Sequence, residues 1–382
     1  MQASQFTYAP IPAAAEALRN EVRAFLAVEM GRIGPLARAD SWMGFDAEFS
    51  RKLGEARLIG ITMPTVLGGR GLDYFARYVV SEELLAAGAP VSAHWIADRQ
   101  SAPLLLRYGT EEQKRRYIPG INRGELYFCI GMSEPNAGSD LSAIGSRARR
   151  EGAGWRLDGR KIWTTNAHRS HYMIALVRTG SPDEGRQGGM SQFVINLAAP
   201  GVTVRPIRDL TGGDHFNEVF FDDVVLAEDA LIGTEGKGWE QVMAELAIER
   251  SGPERFLSSM ALLHSLIGVL GASPDALESF HVGRLTARLF ALRTMSLAVT
   301  AKFAAGEDPA WAASCVKDIG TGLEQELPEI AALIGREQPR VGSGSELAQI
   351  QAYLTQLAPS FSLRGGTREI LRGILARGLG LR

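Results

Sequence analysis

The hydrophobic pattern of this chain changes period twice, near Glu125 and again near Gly238, and these changes constrain the fold more than any other feature. Before the first, apolar residues recur at helical spacing. Leu18, Val22, Phe25 and Leu26 place one stripe along residues 14–30, and residues 78–87 and 102–108 repeat the pattern after a Gly68-Gly69-Arg70-Gly71 break. Thr110 ahead of Glu111-Glu112-Gln113 reads as a helix N-cap. Between the two changes, β-branched and aromatic residues alternate with polar ones. Strands are expected over 162–165, 172–177, 192–195, 202–207 and 218–225, and the polar, Gly-rich stretch 181–190 reads as a mobile hairpin loop. After Gly238 the helical period returns; Pro253 and Pro328 are expected to mark kinks or breaks, and residues 342–344 a turn. No internal repeat is visible. The order predicts an α+β architecture: a helical domain over 1–125, a β barrel or sandwich over 126–235, and a helical domain over 236–382.

Composition narrows the function. With 382 residues, 22% of them charged and a net charge of −2, the chain carries no broad basic surface for nucleic acid, although a local anion site remains open. Its two cysteines, Cys129 and Cys315, lack metal-ligand spacing and cannot form a disulfide framework, which suits a reducing compartment. The opening stretch mixes acids and bases without an uninterrupted apolar core, so neither a signal nor a transit peptide is expected. No run is long and apolar enough to span a bilayer. A cytoplasmic protein is the expectation.

Three stretches offer chemistry. In Ile130-Gly131-Met132-Ser133-Glu134-Pro135-Asn136-Ala137-Gly138-Ser139-Asp140, small residues and hydroxyls follow a strand and offer amides and hydroxyl donors to a ligand rich in acceptors. Taken alone it reads first as a tight turn. In Lys161-Ile162-Trp163-Thr164-Thr165-Asn166, the two-residue spacing of Trp163 and Thr165 places both on one strand face, where an aromatic can cover a flat heterocycle and a hydroxyl can bond its edge. Taken alone it is a strand with a core tryptophan. In Gly365-Gly366-Thr367-Arg368-Glu369-Ile370, Thr367 caps a helix whose free amides can hold an anion or a polarised carbonyl. Taken alone it is an ordinary capped helix.

Together, in this order, the three stretches resemble the acyl-CoA dehydrogenase family over nearly the whole chain. Gly109-Thr110-Glu111-Glu112-Gln113-Lys114 and Phe216-Asn217-Glu218-Val219-Phe220-Phe221 also look like family segments. The resemblance implies an N-terminal helical domain, a middle β barrel and a C-terminal four-helix bundle, with FAD between barrel and bundle. It implies that Ile130, Met132 and Ser133 line the flavin, that Ser139 meets cofactor or acyl-CoA, and that Trp163 and Thr165 lie over and beside the isoalloxazine. Gly366, Thr367 and Glu369 would meet FAD from the bundle. It further implies removal of two hydrogens from an acyl-CoA, with electrons passed to an electron-transfer flavoprotein.

Two departures qualify that picture. Many family members carry the catalytic glutamate where this chain has Gly365, which cannot abstract a proton. Members resembling the isovaleryl-CoA and long-chain dehydrogenases instead follow Gly-Lys-Gly with a helix ending in Glu-Arg, and Gly236-Lys237-Gly238 through Glu249-Arg250 fits that spacing. The resemblance therefore implies Glu249 as base, Arg250 orienting the substrate or helix, and the Gly365 N–H donating to the thioester oxygen. The second departure is the absence, over 272–296, of the Arg-x-x-Phe-Gly segment that reaches FAD on a neighbouring subunit; the Gln-x-x-Gly-Gly segment is degraded around Gln338. Two readings compete: a heteromeric α2β2 assembly in which a sister chain supplies the missing groups, as in sterol side-chain members, or a non-catalytic, FAD-deficient subunit. An acyl-CoA oxidase on the same fold is a further alternative. A glycine at 365 leaves room for a branched, long or polycyclic acyl group.

Overall fold

The computed structural model describes residues 6–180, 185, 187–250 and 252–381, with the side chains of 246–249 outside that description. Two compact units emerge: Met1–Phe49, Leu72–Ser92 and Ala247–Arg382 form one, and Ser50–Gly71 with Ala93–Leu246 form the other. The element order is helical, β, helical. The early helices are α1 (Ala13–Glu16), α2 (Leu18–Glu29), α3 (Pro35–Asp40), α4 (Ala47–Glu55), α5 (Tyr74–Ala86), α6 (Ser92–Ile96), α7 (Ala102–Tyr108) and α8 (Glu111–Asn122). The strands are β1 (Phe128–Gly131), β2 (Arg147–Glu151), β3 (Gly154–Thr165), β4 (Tyr172–Arg178), β5 (Met190–Asn196), β6 (Val202–Ile207) and β7 (Phe216–Leu226). The late helices are α9 (Gly238–Glu249), α10 (Met260–Leu270), α11 (Ala276–Ala305), α12 (Ala310–Ile334), α13 (Glu346–Leu357) and α14 (Arg368–Gly378).

In the sheet-bearing unit, seven strands form one sheet in the order β1-β4-β2-β3-β7-β6, with β5 also paired to β4. Cys129, Ala148, Trp155, Met173, Phe193, Val219 and Phe221, from β1, β2, β3, β4, β5 and β7, close into one buried cluster. One face of the sheet thus packs on itself, which requires a curled sheet. The alternate residues Phe128, Ile174 and Val194 point the other way and pack with Leu105, Ile118 and Ile121 of α7 and α8. Strand β4 is therefore apolar throughout because both its faces are covered. Thr110 caps α8 in a reciprocal box with Gln113, whose side-chain amide also donates to the Asp229 and Leu231 carbonyls at 2.8 and 2.9 Å. Strands β4 and β5 pair antiparallel, as a hairpin requires, but residues 181–184 and 186 of the expected hairpin loop lie outside the described residues.

In the all-helical unit, α5 carries the adjacent buried carboxylates Glu82 and Glu83. Arg293 of α11 bonds Glu82 at 2.6 Å, and Arg23 of α2 bonds Glu83 at 2.8 Å. Arg368 of α14 meets Asp318 of α12 at 2.9 Å. Pro253 opens a short 3-10 turn after α9, where its missing N–H costs nothing. Pro328, expected as a kink or break, does not break α12, which runs on to Ile334. The buried Leu327, Ile330 and Ala331 around it supply packing that offsets one lost helical hydrogen bond.

Candidate functional site

The loop after β1 and the strand β3 are locked together by a buried ion pair. Lys161, fully buried in β3, donates to Glu134 Oε1 at 2.7 Å, to the Leu176 carbonyl at 2.6 Å and to the Met132 carbonyl at 3.2 Å. Glu134 also accepts from the Gly145 N–H at 2.6 Å and the Ser146 N–H at 3.0 Å. The Ile162 N–H donates to the Ser133 carbonyl at 3.0 Å. Burial pushes the Lys161 ammonium down to about 8 against the opposing pull of Glu134. Burial also pushes the Glu134 carboxyl upward, but the Lys161 charge and the donated hydrogen bonds outweigh it and hold the carboxyl below its ordinary value.

That lock fixes Ile130, Met132 and Ser133, all half-buried, beside β3. The N–H groups of Met132 and Ser133 and the Ser133 hydroxyl donate to no group among the described residues. They are directed donors awaiting an acceptor. Ser139 lies further along the loop and is exposed.

Trp163 is a backbone outlier. Its φ is +58°, at a break in register between Lys161 and Thr164 opposite β7. A bulky residue there costs about 1–3 kcal/mol. The bulge turns Thr164 into the core, 1% exposed, while the Trp163 indole stays 57% exposed and Thr165 is half-buried. Trp163 makes an edge-to-face ring contact with Phe216, centroids 6.1 Å apart. The fully buried Asn217 holds the bulge, its side-chain amide donating to the Thr164 carbonyl at 3.0 Å while its Oδ1 meets His168 Nδ1 at 2.8 Å. An uncovered indole on a strained bulge, beside a hydroxyl and free amides, suits a flat, acceptor-rich heterocycle.

In the all-helical unit, Gly365 and Gly366 precede α14 with φ of +63° and +97°, conformations that favour glycine. Thr367 caps the helix, its hydroxyl oxygen accepting from the Ile370 N–H. Arg250, 6% exposed, donates through Nε to the Gly365 carbonyl at 2.9 Å. Lys317, fully buried in α12, donates to the Gly366 carbonyl at 2.9 Å. Glu369 is exposed, and its carboxyl is held below the ordinary value by its own backbone N–H and the Thr367 hydroxyl at the helix start. Glu249 is the last residue of α9, and its side chain lies outside the described residues.

Sequence reasoning quoted Lys161, Glu134 and Asn217 within its stretches but gave them no role, and it passed over Lys317. The one signal for Lys317 was a lone cation among apolar residues at helical spacing, Ala313, Val316 and Gly320.

Comparison with known proteins follows the same layout. The N-terminal domain model of acyl-CoA dehydrogenases matches residues 12–125 and the middle-domain model matches 129–224. The acyl-CoA dehydrogenase IpdE1 of Mycobacterium tuberculosis is 34% identical over 87% of this chain and 87% of its own length. The chain belongs to the acyl-CoA dehydrogenase family. Acyl-CoA dehydrogenase FadE34 of the same organism is 32% identical over 81% of this chain, which spans only 43% of that protein. Among solved structures, the Tcur3481-Tcur3483 steroid ACAD matches with a TM-score of 0.83 and 28% identity, covering 97% of this chain and 98% of its own. The ChsE4-ChsE5 complex from Mycobacterium tuberculosis matches with a TM-score of 0.82 and 26% identity, covering 98% and 100%. IpdE1 and FadE34 are named for dehydrogenation, an oxidoreductase chemistry, and the family generally uses FAD. Among the described residues no helix is long and apolar enough to cross a membrane.

Proposed function

We propose that this chain removes the α proton and a β hydride from an acyl-CoA thioester to give the trans-2-enoyl-CoA. FAD, when bound, supplies the hydride-accepting capacity. Met132, Ser133, Trp163 and Thr165 would hold it, and the family resemblance adds Gly366, Thr367 and Glu369 as candidate contacts. Glu249 takes the α proton, and a carboxylate desolvated by the acyl chain is the stronger base for it. The Gly365 N–H donates to the thioester oxygen as negative charge develops there, Ser139 meets the CoA or the cofactor, and Arg250 orients the turn or the substrate. Electrons then pass to an electron-transfer flavoprotein, in a cytoplasmic setting. The observation that carries this reading is the exposed Trp163 on its strained bulge, flanked by unpartnered donors.

The acyl group we assign is bulky, branched or polycyclic, because Gly365 places no side chain where many relatives carry one. The names of the steroid and ChsE4-ChsE5 neighbours support that choice and a heteromeric assembly. The missing Arg-x-x-Phe-Gly segment supports the second reading, a subunit that holds FAD poorly by itself. Flavin spectra of the purified chain, alone and with a sister chain, separate the two. Partner-dependent loading followed by bleaching with an acyl-CoA supports heteromeric catalysis, whereas absence of flavin in every combination leaves a non-catalytic subunit. Rapid oxygen consumption during turnover would instead mark an oxidase.

A further inference from the structure

Lys317 is a fully buried cation with no part in the chemistry described above. Burying an ammonium costs several kcal/mol unless its hydrogen bonds are well made, and one of those bonds goes to the Gly366 carbonyl at 2.9 Å. The neighbouring carbonyl, Gly365, is held by Arg250 Nε at 2.9 Å. Both glycines sit at positive φ, and two glycines in a row make the most flexible dipeptide a turn can have. Without anchors, the peptide planes of this turn can flip.

The anchors act on orientation. Among the described residues no peptide bond is cis. In a trans peptide the N–H points opposite the carbonyl. Holding the Gly365 and Gly366 oxygens therefore aims the Gly366 and Thr367 N–H groups away from the two cations, and no carbonyl or side chain among the described residues accepts from either. Asp318, next to Lys317, pairs with Arg368 at 2.9 Å, so α12 grips the turn and the first residue of α14 from consecutive positions.

We propose that Lys317 is a positioning residue for thioester recognition. It fixes the Gly365–Gly366–Thr367 turn, and with the turn the direction of the Gly365 N–H that the reading above assigns to the acyl carbonyl. This rests on the reading above, which assigns that turn to the thioester.

The test uses two CoA ligands of equal chain length, a 3-thia-acyl-CoA that keeps the thioester carbonyl and an alkyl-CoA thioether that lacks it. Dissociation constants are measured for the flavin-loaded wild type, in its native assembly, and for Lys317→Met. The wild type should prefer the carbonyl ligand, and Lys317→Met should lose about 5–30-fold of that preference, the worth of one to two hydrogen bonds. With both proteins saturated with flavin, thioether affinity should stay within about twofold, as expected when the only loss is that carbonyl hydrogen bonding. Lys317→Gln, which keeps a neutral donor on a shorter arm, should lose less, and it supplies the reading if the Met variant does not fold. A wild type that does not distinguish the ligands sinks the assignment of the turn and this proposal with it. A wild-type preference that survives in the variants, or an equal loss for both ligands, overturns the role of Lys317 alone.

Discussion

Replacing Lys161 with methionine tests whether one ion pair holds the loop after β1 against β3. The ammonium is fully buried and Glu134 is 10% exposed at its side chain, so solvent screens the pair little. Removing one partner of a buried pair costs about 3–5 kcal/mol, because the other charge is left uncompensated. Here the Met132 and Leu176 carbonyls also lose a donor. Lys161→Met should therefore lower unfolding free energy by about that amount in a urea titration. The double variant Lys161→Met/Glu134→Gln should recover about 1–3 kcal/mol of the loss, since the orphaned charge is gone while an amide oxygen remains for the Ser146 N–H. The pH dependence has a definite sign. Lys161 releases its proton near 8 in the folded protein and near 10.5 when unfolded, so the unfolded state binds more protons between those values. Wild-type stability relative to Lys161→Met should thus rise across that window and flatten above it. Glu134, held below its ordinary value, contributes stability that is present above the carboxylate range and lost as pH falls through its folded value. Additive single and double variants, or a pH-independent difference, would refute the ion-pair account.

Other expectations follow from single side chains. Glu249→Gln should reduce turnover by about 10²–10⁴-fold, the usual worth of a general base, with flavin content unchanged; persistent activity would remove Glu249 from the mechanism. Trp163→Ala should raise the FAD dissociation constant about 2–10-fold, the worth of one aromatic stacking contact. Its melting temperature should hold, because the indole is already 57% exposed and alanine inherits the same strained φ. Gly366→Ala should destabilise by about 1–3 kcal/mol, because its Cβ would meet Arg250 Nη2 at 3.2 Å at a φ of +97°; unchanged urea unfolding would argue against the turn geometry.

The architecture was legible because period is a local property. The short apolar, β-branched run that marked 172–177 as a strand, and the Thr110-to-Gln113 spacing that marked a cap, are both patterns readable within a few residues, and the structure keeps both. What the sequence concealed is non-local. Trp163 and Thr165 share an outward side through a bulge that inserts an extra residue, and that bulge depends on Asn217, more than fifty positions away. The pairing of Lys161 with Glu134 joins two stretches that the sequence assigns to one flavin without showing any direct link between them. Lys317 is more remote still, since nothing near it in the chain suggests that its ammonium ends on a carbonyl 49 residues later. In each case the motif names the groups that face a ligand, and a buried polar side chain from elsewhere decides how they face it. A buried polar group persists only when its hydrogen bonds are made, so each of these three reports a fixed geometry on the motif it holds. A variant that alters the supporting residue should therefore change the motif's ligand preference before it changes the motif's chemistry.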